Sequence, residues 1–122
     1  MIRVANFQNV EPMTDNEAVV VVNRRLANGV KVVIRDTPEW HLYEDLAPSD
    51  RLWEAYYKED QMEWEEFASR YIMEMRTRTD DVSKVNDLVA EGRDVALLCS
   101  CGNEDTCHCS LLKMVLEGKV EL

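Results

Sequence analysis

With 122 residues, the chain fits one domain, residues 1–122, and is long enough to bury a core without a disulfide or metal staple. Hydrophobic residues make up 46%, which excludes a disordered chain, and a net charge of −10 argues against binding nucleic acid or an anionic membrane surface. No run approaches the ~20 apolar residues of a membrane span, and Met1 to Asn6 lacks the apolar core of a signal peptide, so the expected location is cytoplasmic, where thiols stay reduced.

Taken in chain order, Met1 to Ala5 weakly predicts a short strand, and Asn9 to Glu17, with Pro12, Asp15 and Asn16, reads as a loop. Ala18 to Val22 is a continuous, mostly β-branched run, which predicts a strand buried on both faces in a parallel sheet. Asn28-Gly29 is a turn signal, and Val30 to Ile34 predicts a second strand. Residues 37–47 read as a loop that carries Trp40, His41, Leu42 and Tyr43, with His41 structural.

Pro48-Ser49-Asp50 opens a helix, because Ser49 is a good N-cap and Asp50 favours the positive end of the dipole. Its apolar stripe is Leu52, Trp53, Tyr56 and Tyr57. From about Met62 to Arg76, Trp64, Phe67, Ala68, Tyr71, Ile72 and Met75 fall at three- and four-residue spacing and predict an amphipathic helix. Its aromatic stripe could stack on bases, but at helical spacing it reads as core. Asp80 or Asp81 would cap a third helix with the stripe Val82, Val85, Leu88 and Val89, stopped by Gly92. Asp94 to Cys99 is the clearest strand, and Cys107 to Glu117 predicts a last helix ended by Gly118. Strands alternating with helices predict an α/β fold: a three-layer domain with a small, mostly parallel sheet flanked by helices.

All four cysteines lie in Cys99-Ser-Cys101-Gly-Asn-Glu-Asp-Thr-Cys107-His108-Cys109. A secreted disulfide framework spreads its cysteines along the chain, so this clustering reads as a local site. Cys99 ends a strand and Cys107 opens a helix, which is where open α/β sheets put their ligands. The helix dipole at Cys107 favours a thiolate, while Glu104 and Asp105 oppose it.

At these residues the chain resembles the Domain of Unknown Function 488 family. Asn23 to Val30 looks like that family's Asp-Arg-Leu-Trp-Pro-Arg-Gly segment with the Trp-Pro-Arg part replaced. Leu46-Ala47-Pro48-Ser49 with Leu52, Trp53 and Tyr57, then Trp64, Phe67 and Tyr71, is similar to a second block. Leu97-Leu98-Cys99 and Cys107-His108 are similar to the family's Leu-Leu-Cys and Cys-His-Arg blocks, with Cys109 where the family has Arg. The resemblance spans roughly residues 18 to 117. It implies a compact α/β domain with a two-cysteine site and names no substrate.

Three readings of the cluster follow. In the first, Cys99 and Cys107 are nucleophile and resolving thiol, or a reversible disulfide, with His108 as the base and Arg24 and Arg25 as anion-binding groups on the same sheet rim. Closing that loop would contribute ~2.5 kcal/mol in the chain-entropy model. In the second, Cys99, Cys101, Cys107 and Cys109 hold zinc or copper, although single-residue spacing within each pair is not that of the common zinc knuckles. In the third, Cys99 is a small apolar residue at the end of a buried strand, the other thiols are ordinary, and the domain is structural. No cofactor is expected beyond that zinc. The four glycines, at 29, 92, 102 and 118, form no phosphate loop, and no Ser-His-Asp order is visible.

Overall fold

In the computed structural model, residues 1–7, 11, 14–99 and 107–120 are described. The elements among them are β1 (Ile2–Ala5), β2 (Glu17–Val21), α1 (Asn28–Asp36), β3 (Trp40–Leu42), α2 (Asp50–Trp53), α3 (Trp64–Met75), α4 (Thr79–Ala90), β4 (Asp94–Leu98) and α5 (His108–Leu116). A 3-10 turn at Glu44–Leu46 precedes α2, and a π-turn at Glu54–Lys58 follows it.

The four strands form one parallel sheet in the order β1-β4-β2-β3. The two most apolar strands are central, with Val20 opposite Leu97 and Val21 opposite Leu98. Both are covered on both faces, as their continuous hydrophobic runs require. Val19 and Val21 face one way, against Ile34 of α1, Leu26, Trp40 and Leu42. Val20 and Val22 face the other way, where α3, α4 and α5 contribute Phe67, Tyr71, Met75, Val82, Val85, Leu111, Leu112 and Val115. This alternation gives the expected three layers. The aromatic stripe of α3 is core, with Phe67 and Tyr71 fully buried. Ser49 caps α2 as anticipated, its Oγ accepting from the Leu52 amide at 3.2 Å.

Three expectations are corrected. Val30 to Ile34 is not a strand but the body of α1, and Asn28-Gly29 opens that helix instead of turning a hairpin. Because β2 and β3 pair in parallel, the chain between them must return along the sheet, and a helix is the usual crossover. Valine's reluctance to be helical, a few tenths of a kcal/mol per residue, is too small to prevent this. Residues 37–47 are not all loop: Trp40–Leu42 is the edge strand beside β2. Neither Asp80 nor Asp81 is the cap of α4. Arg78 occupies that position, and both aspartates lie in the first turn, where their charge suits the dipole.

The loop Leu46-Ala47-Pro48-Ser49 is held from several directions. The buried Tyr71 hydroxyl donates to the Leu46 carbonyl at 2.6 Å. Glu74 accepts from the Ser49 amide at 2.8 Å and from its hydroxyl at 2.5 Å. Arg24 donates to the carbonyls of Pro48 at 3.2 Å and Ala47 at 3.3 Å.

Candidate functional site

The carboxyl ends of β2 and β4 lie side by side at the centre of the sheet, and the start of α5 packs across them. Cys99 directly follows β4, Cys107 is the N-cap residue of α5, and His108 and Cys109 are its first two helical residues. The chain thus brings both ends of the cysteine loop to the rim where parallel sheets place their chemistry. Cys101 lies outside the described residues, so the four-cysteine set expected for a metal is represented here by Cys99, Cys107 and Cys109.

The sulfurs of Cys99 and Cys107 are 2.9 Å apart. Cys99, Cys107, Cys109 and His108 are 2%, 1%, 0% and 5% exposed, so the cluster is closed from bulk solvent. His108 makes the link to the sheet, with its Nε2 2.8 Å from the Val22 carbonyl oxygen. A carbonyl only accepts, so Nε2 carries the hydrogen. Burial pushes the imidazole below its ordinary pKa, against the opposing pull of Cys99 and the Val22 carbonyl. A ring protonated at Nε2 carries its lone pair at Nδ1, the atom that can accept a proton or ligate a metal.

Cys99, His108 and Cys109 also form a potential ligand set, their ligating atoms all lying within 4.8 Å of one another. Two sulfurs bound tetrahedrally at ~2.3 Å from zinc would lie ~3.8 Å apart, so these groups are close to the span a single ion needs. The hydrogen bond from Nε2 to a backbone carbonyl is the usual support for a histidine that ligates through its other nitrogen.

Tyr71 belongs to this surrounding and was read from the sequence only as core. Its ring centroid is 5.9 Å from that of His108. Burial, and secondarily the nearby sulfurs of Cys109 and Cys107, hold its phenol well above the ordinary tyrosine range, so it stays protonated as a donor to Leu46. The signal that could have found it is general: a fully buried phenol needs a hydrogen-bond partner.

The two arginines expected as anion-binding groups contact backbone carbonyls, carboxylates and a Trp ring. Besides its bonds to Ala47 and Pro48, Arg24 pairs with Asp45 at 3.4 Å. Arg25 pairs with Glu54 at 2.9 Å and Asp50 at 3.7 Å, and its guanidinium lies 3.9 Å from the Trp53 ring centroid. A surface groove bordered by Arg51, Glu54, Glu66, Arg70 and Glu74 mixes both signs of charge and includes none of the described cysteines. No helix among the described residues is long and apolar enough to cross a membrane.

Comparison with known proteins yields no match among curated proteins and none among solved structures. A family profile does match, over residues 2–120, almost the whole described chain, and it is the profile of the active DUF488-N3 subclade, DUF488-N3a. The blocks around Leu46, Cys99 and Cys107 that carried the resemblance are the ones that build the held loop and the buried cluster, and the chain belongs to the DUF488 family, in its DUF488-N3a subclade.

Proposed function

We propose that this domain is a thiol-based protein in which Cys99 and Cys107 form a reversible disulfide, with His108 as the proton acceptor. The observation that carries the reading is the 2.9 Å separation of the two sulfurs beside a neutral imidazole. A disulfide bond is ~2.05 Å long, so less than 1 Å of movement would join them. His108 Nδ1 takes the Cys99 proton, and the thiolate attacks a peroxide oxygen, giving a sulfenic acid and releasing hydroxide. Cys107 then attacks the sulfenic sulfur, the S–S bond forms and water leaves. The positive end of α5 favours the anion that begins this sequence. The cytoplasmic setting we assign to the chain would keep the pair reduced at rest. Membership of a subclade described as active is in keeping with a site able to perform chemistry.

The test is mild oxidation of the reduced chain with hydrogen peroxide, followed by peptide mapping without reductant. The expected product is one intramolecular Cys99–Cys107 link, retained in Cys109→Ser, lost in Cys99→Ser, and formed more slowly in His108→Ala. Four free thiols after treatment, or a link between other cysteines, would sink the proposal. A second reading, a bound zinc ion, is favoured by the close grouping of the Cys99, His108 and Cys109 ligand atoms.

A further inference from the structure

Cys99 stands in two arrangements at once. Its sulfur touches that of Cys107, and it is also one of three ligand atoms grouped with His108 and Cys109. Cys107 is not in that group of three. We infer that disulfide formation and zinc binding exclude one another at this site, with the Cys99 sulfur as the shared atom, so that peroxide oxidation of Cys99 and Cys107 to their disulfide expels zinc held by Cys99, His108 and Cys109. The inference rests on the disulfide reading and adds to it a cofactor and a means of regulation.

The physical argument is one of ligand chemistry. Zinc binds thiolate, and a disulfide sulfur has neither the charge nor the basicity to replace it. Removing Cys99 leaves one thiolate and one imidazole, too few to retain the ion against water. The electron balance closes with peroxide as the oxidant: one zinc-bound thiolate, one thiol and one peroxide molecule give the disulfide, water and hydroxide, and the zinc ion leaves without changing oxidation state. The cluster is also suited to retain zinc while reduced. The His108 ring is fixed by its contact with the Val22 carbonyl, the usual outer support of a ligating histidine. Its burial excludes water from competing for the ion.

The experiment uses the full chain, reduced and reconstituted with one equivalent of zinc, with folding of each variant verified by circular dichroism. Peroxide is added in steps. Released zinc is read with a chromogenic chelator, and the Cys99–Cys107 link is quantified by mass spectrometry on the same samples. The expected wild-type result is one zinc per chain, released in proportion to the link. Cys107→Ala should bind zinc within about threefold of wild type yet resist release at peroxide doses that empty wild type. Cys109→Ala should weaken zinc binding by at least about tenfold, because loss of a ligand should exceed the 10–100-fold effects typical of outer-shell changes, while still forming the disulfide. Zinc that stays bound after the link has formed would overturn the inference, as would equal release from wild type and Cys107→Ala. If the reduced chain binds no zinc but the metal-free chain forms the link, the inference fails and the disulfide reading stands. If the metal-free chain forms no link, both fail.

Discussion

Replacing Tyr71 with Phe removes one oxygen atom from the centre of the molecule and leaves the packing otherwise in place. The ring would keep its stack on Phe67, with centroids 6.4 Å apart and planes 14° from parallel, and its contact with His108. What is lost is the 2.6 Å hydrogen bond to the Leu46 carbonyl, between two residues that are each fully buried. Exchanging such a bond for water on both sides would cost little, but water does not reach this carbonyl, so the variant carries an unsatisfied buried acceptor. That penalty is about 1–3 kcal/mol. Unfolding entropy of ~2.1 cal/mol/K per residue gives about 0.26 kcal/mol/K for this chain, so a loss of 2 kcal/mol lowers the Tm by about 8 °C. Urea and thermal melts of Tyr71→Phe should show this loss. Tyr56→Phe, at a half-buried ring in the same aromatic cluster, should stay within about 0.5 kcal/mol of wild type. If Tyr71→Phe also falls within about 0.5 kcal/mol, the Leu46 loop is not held by this hydroxyl and the reasoning is wrong.

Two further outcomes test the frame around the site. Arg3 donates to both oxygens of Glu17 at 2.8 Å, and the Glu17 side chain is only 2% exposed. Arg3→Met should therefore cost about 3 kcal/mol or more in a urea melt by leaving a buried carboxylate, whereas the double variant Arg3→Met/Glu17→Met should recover most of it; a double variant no better than the single would count against this account. Asp94 is held below its ordinary pKa by hydrogen bonds from the Met1 amine at 3.0 Å and from Thr14 at 2.9 Å. A lowered folded pKa contributes stability above the unfolded value, lost as pH falls through the folded one. Wild type should thus exceed Asp94→Asn in urea midpoint at pH 7 and converge with it below about pH 4, and a gap that persists unchanged to pH 2 would refute the assignment.

How much of this was legible in the sequence depends on where the deciding forces lie. The spacing of Phe67, Tyr71 and Met75 fixes which face of α3 is buried without reference to the rest of the chain, and all three are fully buried. The continuous apolar runs that became β2 and β4 announce burial on both faces in the same way. Val30 to Ile34 misled because its β-branched residues carry a local preference, whereas the helix there is imposed by the parallel pairing of β2 with β3. Trp40–Leu42 has three half-buried residues, too few to show a period, and is a strand by virtue of its neighbour. For the candidate site, the clustering of cysteines pointed to the rim where Cys99, Cys107 and His108 come together. The positions of Arg24 and Arg25 were not readable, because nothing local says that the chain beyond β2 turns its guanidinium groups toward Pro48 and Trp53. Nor could the partner of His108 be read, since every residue has a carbonyl and only the fold selects Val22.

The departure from the family's Cys-His-Arg block at Cys109 acquires a physical meaning once its surroundings are known. That position is the second residue of α5 and is fully buried, grouped with Cys99 and His108. A guanidinium in such a place cannot shed its charge, and burying it would demand a paired anion or a path to solvent. A thiol makes neither demand. It packs as a small apolar side chain when protonated and becomes a soft ligand when ionised. The exchange therefore removes a group suited to holding an anion beside Cys99 and puts a third potential metal ligand in its place. Under the zinc reading, this one position decides whether the cluster has a third ligand. Cys109→Ser, which keeps the size of the side chain but supplies no thiolate, should then weaken zinc retention, read with a chromogenic chelator, yet leave Cys99 and Cys107 able to form their link, read by peptide mapping; unchanged zinc retention would refute the assignment.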